Sequence, residues 1–248
     1  MNIPSGIMID LVAFIVSTVI VIAYYVFMRH KSLANPTYTI HGVNALAREL
    51  WVENIMHNSN KDVLAVQTLR NFIMGSSFMA STAAVLIMGT LSLSGQAENI
   101  SRSWHSFALS VMSVMGSASP ELWKFKVILL LIDFLVAFFA FAMSVRLSNH
   151  VVFMVNVPDH DAHHNFLPKA VARRLHRAGN MFAIGMRTFF FAVPLVFWFF
   201  GPYFLIIASI GLVIMLRKLD RSDCGIDAED EEPETSFIGK TEQVWQEI

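Results

Sequence analysis

Three groups of side chains in this sequence have types and spacings suited to chemistry, and none of them forms a familiar soluble-enzyme constellation. The first is a pair of acids inside apolar runs. Asp133 is the only formally charged residue between Lys126 and Arg146, and Asp10 stands near the start of the first apolar run. In hydrocarbon a carboxylate must find a partner, reach water or take up a proton. Asp133 and Asp10 are therefore candidates for a proton or cation entry; the competing reading is a neutral or serine-bonded acid that fixes helix register. The second group is Arg70 with Asn71, Arg146 with Asn149 and His150, and Asn180 with Arg187, placed at the like-sided ends of three apolar runs. Guanidinium groups recognise phosphates and carboxylates, and asparagines are not needed for anchoring, so these seven are a candidate anion or lipid-headgroup pocket. The alternative is a ring of snorkelling anchors. The third is His160, His163 and His164 beside Asp159 and Asp161, imidazoles at i, i+3 and i+4 that on a helix would share a face and hold zinc or nickel. Pro158 and Pro168 argue for a loop there instead.

The elements that carry these groups follow from composition. The 248 residues are 55% hydrophobic and only 15% charged, more apolar than a water-soluble domain of this size requires. The bilayer is thus the first expected partner. The net charge of -1 conceals sorting, with basic residues beside the apolar runs and acidic ones in the tail, a pattern of membrane orientation and not of nucleic-acid binding. The single Cys224 excludes an intrachain disulfide and a multi-cysteine metal site. No glycine-rich phosphate loop, nucleophile elbow or zincin helix is present, so no catalytic residue is nominated and no cofactor is implied. The first residues lack a basic leader region and read as the start of a retained helix.

The expected fold is an all-α integral membrane helical bundle of four to five transmembrane segments plus an amphipathic interfacial helix. Residues 7–28 form the first span, residues 41–57 the amphipathic helix, residues 72–93 the second span and residues 126–146 the third. Residues 96–121 are a connecting segment whose apolar middle, 107–115, is too short to cross. The second span carries Ser76, Ala80 and Ala84 four apart, a small-residue face on which another helix can pack closely. The last apolar block decides the span number. As one helix, residues 188–216 would be about 43 Å long at 1.5 Å per residue; broken at Gly201-Pro202 they make two short spans. Five spans with the N-terminus outside place Arg29, Arg70, Arg146, Arg187, Arg217 and Lys218 all on the cytoplasmic side, and this is the preferred topology. Residues 1–221 then constitute the membrane-embedded domain and residues 222–248 an acidic, disordered cytoplasmic tail.

Three blocks carry a family resemblance: AVQTLRNFIMGSSFMASTA at 65–83, KVILLLIDFLVAFFAFAMSVRLSNHVVFMVNVP at 126–158 and RAGNMFAIGMRTFFFAVPLVFWFFGP at 177–202. The chain resembles the bacterial multi-pass membrane family known as domain of unknown function 599, over most of its length up to about residue 220. The resemblance implies a bacterial cytoplasmic (inner) membrane and no activity. The expected function is that of a non-enzymatic accessory or scaffold subunit, packing small-residue faces against a second copy of itself or another membrane protein. The alternative is a small-solute or ion transporter or channel that uses Asp133 and the Arg/Asn group.

Overall fold

In a computed structural model, residues 5–34, 38–95, 120–157 and 167–221 are described. The histidine run with His160, His163 and His164, the segment 96–119 and the tail 222–248 lie outside the described residues. Among the described residues there are six α-helices and no strand: α1 (Ser5–Ala34), α2 (Ile40–Met56), α3 (Asp62–Gly95), α4 (Pro120–Val155), α5 (Pro168–Phe197) and α6 (Pro202–Asp220). All except α2 are long and apolar enough to cross a membrane. Helices α1, α4 and α6 run toward the end of the bundle that carries Arg29, Arg146 and Arg217, here called the basic end; α3 and α5 run away from it.

The chain breaks between α5 and α6 where glycine and proline require it. Trp198 closes α5 with its N–H on the Pro194 carbonyl at 2.9 Å, and Gly201 follows with φ 147°, a conformation that L side chains rarely adopt. Pro202, whose missing N–H costs nothing in a first turn, then opens α6. Two antiparallel helices result, and α6, at 19 residues, is about 28 Å long, close to the hydrocarbon thickness.

Helix α2 is not a span. Thr39 caps it, with Oγ1 accepting the Gly42 N–H at 3.3 Å, and its buried face of Val52, Ile55 and Met56 packs on the basic ends of α3, α4 and α5. Leu69, Val151, Val171 and Leu175 close this core. The 36 residues of α4 extend about 54 Å, so roughly 24 Å stands outside a 30 Å hydrocarbon layer. At the basic end, then, the long helices form a water-facing head that α2 completes.

Within the spans α4 is central, packed mainly on α5 and α3, while α1 pairs chiefly with α6. Small residues set the close approaches. Ser76 lies 3.4 Å from Ser144, and Ala83 meets Ala137 and Phe141. The small-residue face of α3 is therefore occupied by α4 of the same chain. Gly185 on α5 leaves room for the fully buried Phe141 ring, which also packs edge-on against Phe182 and Phe189. A Cβ at Gly185 would stand 2.7 Å from that ring, whereas one at Gly211 on α6 would meet nothing within 4 Å. Gly185→Ala should accordingly destabilise the purified protein by about 1–3 kcal/mol, and Gly211→Ala should leave it unchanged or slightly more stable. Thermal unfolding in detergent measures both; equal midpoints for the two variants would contradict the α4–α5 packing.

Candidate functional site

The polar side chains of the spans form three tiers, and α1 shows their spacing most simply. Asp10, Ser17 and Tyr24 are seven residues apart, so a helix of 3.6 residues per turn puts them on one face at steps of about 10.5 Å. All three are buried, and each is partnered on another helix.

The first tier lies at the end remote from the basic one. Lys126 of α4 forms a 3.1 Å ion pair with Asp10 Oδ1, and the Trp198 indole N–H donates to the same oxygen at 2.8 Å. Lys126 also donates to the Trp198 carbonyl at 3.1 Å and lies 4.9 Å from the centre of its ring. Phe14 stacks on Trp198 at 5.0 Å and Phe125 meets both rings edge-on. Charge, hydrogen bond and cation–π contact coincide here, which is the arrangement a buried pair needs to offset its desolvation.

In the middle tier Ser17 and Ser209 are hydrogen-bonded through their hydroxyls. Ser209 gives its own proton to the Leu205 carbonyl, at 2.8 Å, so Ser17 is the donor between them. Asp133 belongs to this level because it follows Lys126 on α4 by the same seven residues that separate Ser17 from Asp10 on the parallel α1. Its Oδ2 atom is buried and has no hydrogen-bond partner.

The third tier closes the basic end. Asp220 accepts from Tyr24 Oη at 2.8 Å and from Arg187 Nη2 at 3.1 Å, and the Arg187 guanidinium lies 5.7 Å from the Tyr25 ring centre. Beside them opens a cavity of about 440 Å³ lined by Tyr25, Arg29, Thr39, His41, Arg187 and Asp220, among others. Burial, aided by the charges of Arg187, His176 and Arg48, holds the His41 imidazole below its ordinary pKa. On α2, outside the spans, it is therefore neutral near neutral pH.

The residues nominated from sequence are distributed as follows. Asp10 is engaged by Lys126 and Trp198, and Asp133 Oδ2 has no hydrogen-bond partner. Arg187 turns to Asp220, and Asn180 is 3.2 Å from His176. Arg70, Asn71, Arg146, Asn149 and His150 are exposed, and among the described residues no hydrogen bond joins any of them to another of the seven. No three His, Cys, Asp or Glu side chains gather among the described residues, and His160, His163 and His164 are outside them. Lys126, Trp198, Asp220 and the Ser17–Ser209 pair were not anticipated. The seven-residue repeat of polar residues on α1, matched by Lys126 and Asp133 on α4, is a signal for Ser17 and Lys126; Trp198, Ser209 and Asp220 carry no such seven-residue pattern.

Five apolar helices, joined across their interior by polar pairs, define an all-α multi-pass membrane bundle. The profile of a family described as "Protein of unknown function, DUF599" matches residues 12–223, and the chain belongs to that family. No curated protein and no solved structure matches it.

The first tier makes an energetic prediction. Lys126→Met strands the Asp10 carboxylate and should destabilise the protein by roughly 3 kcal/mol or more. Adding Asp10→Asn should recover much of that loss, because the amide oxygen still accepts the Trp198 N–H. Unfolding of the single and double variants in detergent gives the coupling energy. A Lys126→Met variant as stable as Lys124→Met, at an exposed position, would contradict the pairing.

Proposed function

We propose that this protein is a small transport protein of a bacterial cytoplasmic membrane, with its N-terminus outside, its basic end in the cytoplasm, and Asp133 as the group that exchanges a proton or small cation. The observation that carries the proposal is the contrast between Asp133 and its neighbours. Asp10, Lys126, Arg187 and Asp220 each have a partner of opposite charge, whereas Asp133 has a buried oxygen with none. An acid without a counter-charge at membrane depth is stable when protonated or when it holds a cation, and alternation between such states is what coupling requires. On this reading the cavity at the basic end, lined by Arg29, His41, Arg187 and Asp220 among others, would be the mouth on the cytoplasmic side, 440 Å³ being ample for a hydrated ion or small solute. The arginines and lysines gathered at that end support this orientation.

An accessory-subunit role is the second reading. The face of α3 that first suggested it is covered by α4, but Gly75 and Gly89 open into free space on the uncovered side of α3, where another membrane protein or a second copy can approach.

Proton flux into proteoliposomes under an imposed pH gradient, read by an entrapped pH-sensitive dye, separates the two. The transport reading expects flux above protein-free vesicles, loss of at least about tenfold in Asp133→Asn, equivalent to some 1.4 kcal/mol at the barrier, and partial retention in Asp133→Glu. Flux no greater than in empty vesicles, or unchanged in Asp133→Asn, would overturn it.

A further inference from the structure

We infer that the crevice between α2, α3 and α5 at the basic end is a binding site for one anionic phospholipid, with the phosphate at Arg48 and an acyl chain along Trp51 and Phe72. The starting point is a cation without an anion. Arg48 projects from α2 onto α5, where its guanidinium lies against Gly179; a Cβ there would come 2.6 Å from Nη1 and 2.8 Å from Cζ. The glycine is what admits the guanidinium. Among the described residues no carboxylate pairs with it, its polar contact is Nη2 to His176 Nδ1 at 3.4 Å, and its buried Nε has no hydrogen-bond partner.

The hydrogen-bond chain behind Arg48 points the same way. A guanidinium only donates, so His176 Nδ1 accepts and the imidazole proton is on Nε2. That N–H must donate to Asn180, 3.2 Å away, which requires the amide oxygen to face the ring. The amide NH₂ then takes the position of the Asn180 side-chain atom that is buried without a partner. Arg48 Nε–H and the Asn180 amide are thus both donors lacking an acceptor. Buried polar groups are seldom left so, and of the two Arg48 also lines the adjoining cavity, where a phosphate would supply the guanidinium with the anion it lacks.

The adjoining cavity specifies what carries the phosphate. Its volume is about 330 Å³, with Asn44, Arg48 and Thr68 presenting polar groups and Trp51, Leu69 and Phe72 an apolar wall. Phe72 begins the apolar run of α3, two residues beyond the exposed Arg70, so the crevice sits where the water-facing head meets the hydrocarbon. A free phosphate has no use for the apolar wall. A phospholipid satisfies both halves with its headgroup at the bilayer surface and its chain directed into the membrane. This inference is independent of the transport reading.

The test uses the full-length protein, delipidated in mild detergent, with binding followed by thermal shift and by native mass spectrometry. Phosphatidylglycerol should raise the unfolding midpoint and remain bound as one molecule, while phosphatidylcholine and inorganic phosphate should do neither. Arg48→Gln should weaken phosphatidylglycerol binding about fivefold, as expected for one basic contact to an anionic headgroup, and Arg70→Gln should leave it unchanged. Thr68→Trp, which fills the crevice from an exposed position and keeps Arg48, should abolish binding altogether and serves if Arg48→Gln does not fold. Equal stabilisation by phosphatidylcholine, a full effect of inorganic phosphate alone, or undiminished phosphatidylglycerol binding by both Arg48→Gln and Thr68→Trp would overturn the assignment.

Discussion

Inside a bilayer a polar side chain can be satisfied only by the protein itself, and the placement of α1 depends on this constraint. Most of the α1 surface carries exposed apolar residues such as Leu11, Ile15, Val19 and Ile22, which face the surroundings of the bundle. Contact between such residues and a neighbouring helix is scarcely better than contact with lipid tails, so apolar packing alone gives α1 no preferred register. Asp10, Ser17 and Tyr24 supply one. Hydrogen bonds between membrane helices are typically worth only about 0.6 kcal/mol each, yet three on one face at seven-residue steps are met together at a single rotation and a single translation. The Asp10–Lys126 pair adds a stronger and more selective fourth constraint, since any displacement leaves both charges in hydrocarbon.

Two kinds of cohesion are therefore divided along the long axis. In the head at the basic end, Val52, Leu69, Val151 and Leu175 are shielded from water and the ordinary hydrophobic effect operates. In the spans, close approach of backbones at Ser76–Ser144 and Gly185–Phe141 and the polar tiers take over. Helices α3, α4 and α5 belong to both regions, so the head fixes their splay while the spans fix their register. The Arg187–Asp220–Tyr24 contact lies at the junction, beside the cavity whose wall includes His41 of α2. Movement of the head against the α1–α6 pair would be felt there first.

Much of this architecture is legible in the sequence because length and charge are one-dimensional signals. The break at Gly201-Pro202, the amphipathic helix of α2 and the charge-poor stretch of α4 can each be recognised without knowledge of any neighbour. What a span faces is harder to read, because lipid-facing and protein-facing surfaces are both apolar and the pattern that betrays rotation in a soluble helix is nearly absent. A one-residue change in phase turns a side chain by about 100°. Arg70 and Arg146, which end apolar runs as Arg187 does, are exposed, while Arg187 turns inward to Asp220. Lys126 was legible only as the boundary of an apolar run, although it is the partner of Asp10. The small residues of α3 were legible as a packing face, but not that α4 would be what covers them.

The central claim is that the seven-residue polar face of α1 looks inward, with Asp10 on Lys126 and Trp198 and with Ser17 and Tyr24 on α6. Cys224 is the only cysteine, so a Cys224→Ser background permits paired cysteines to be introduced without interference. In membranes, mild oxidation of Ser17→Cys with Ser209→Cys should form an intramolecular disulfide rapidly, because the two hydroxyls are in contact, whereas Ile15→Cys with Ser209→Cys should not. Equal cross-linking of the two pairs, or cross-linking of the Ile15 pair alone, would contradict it.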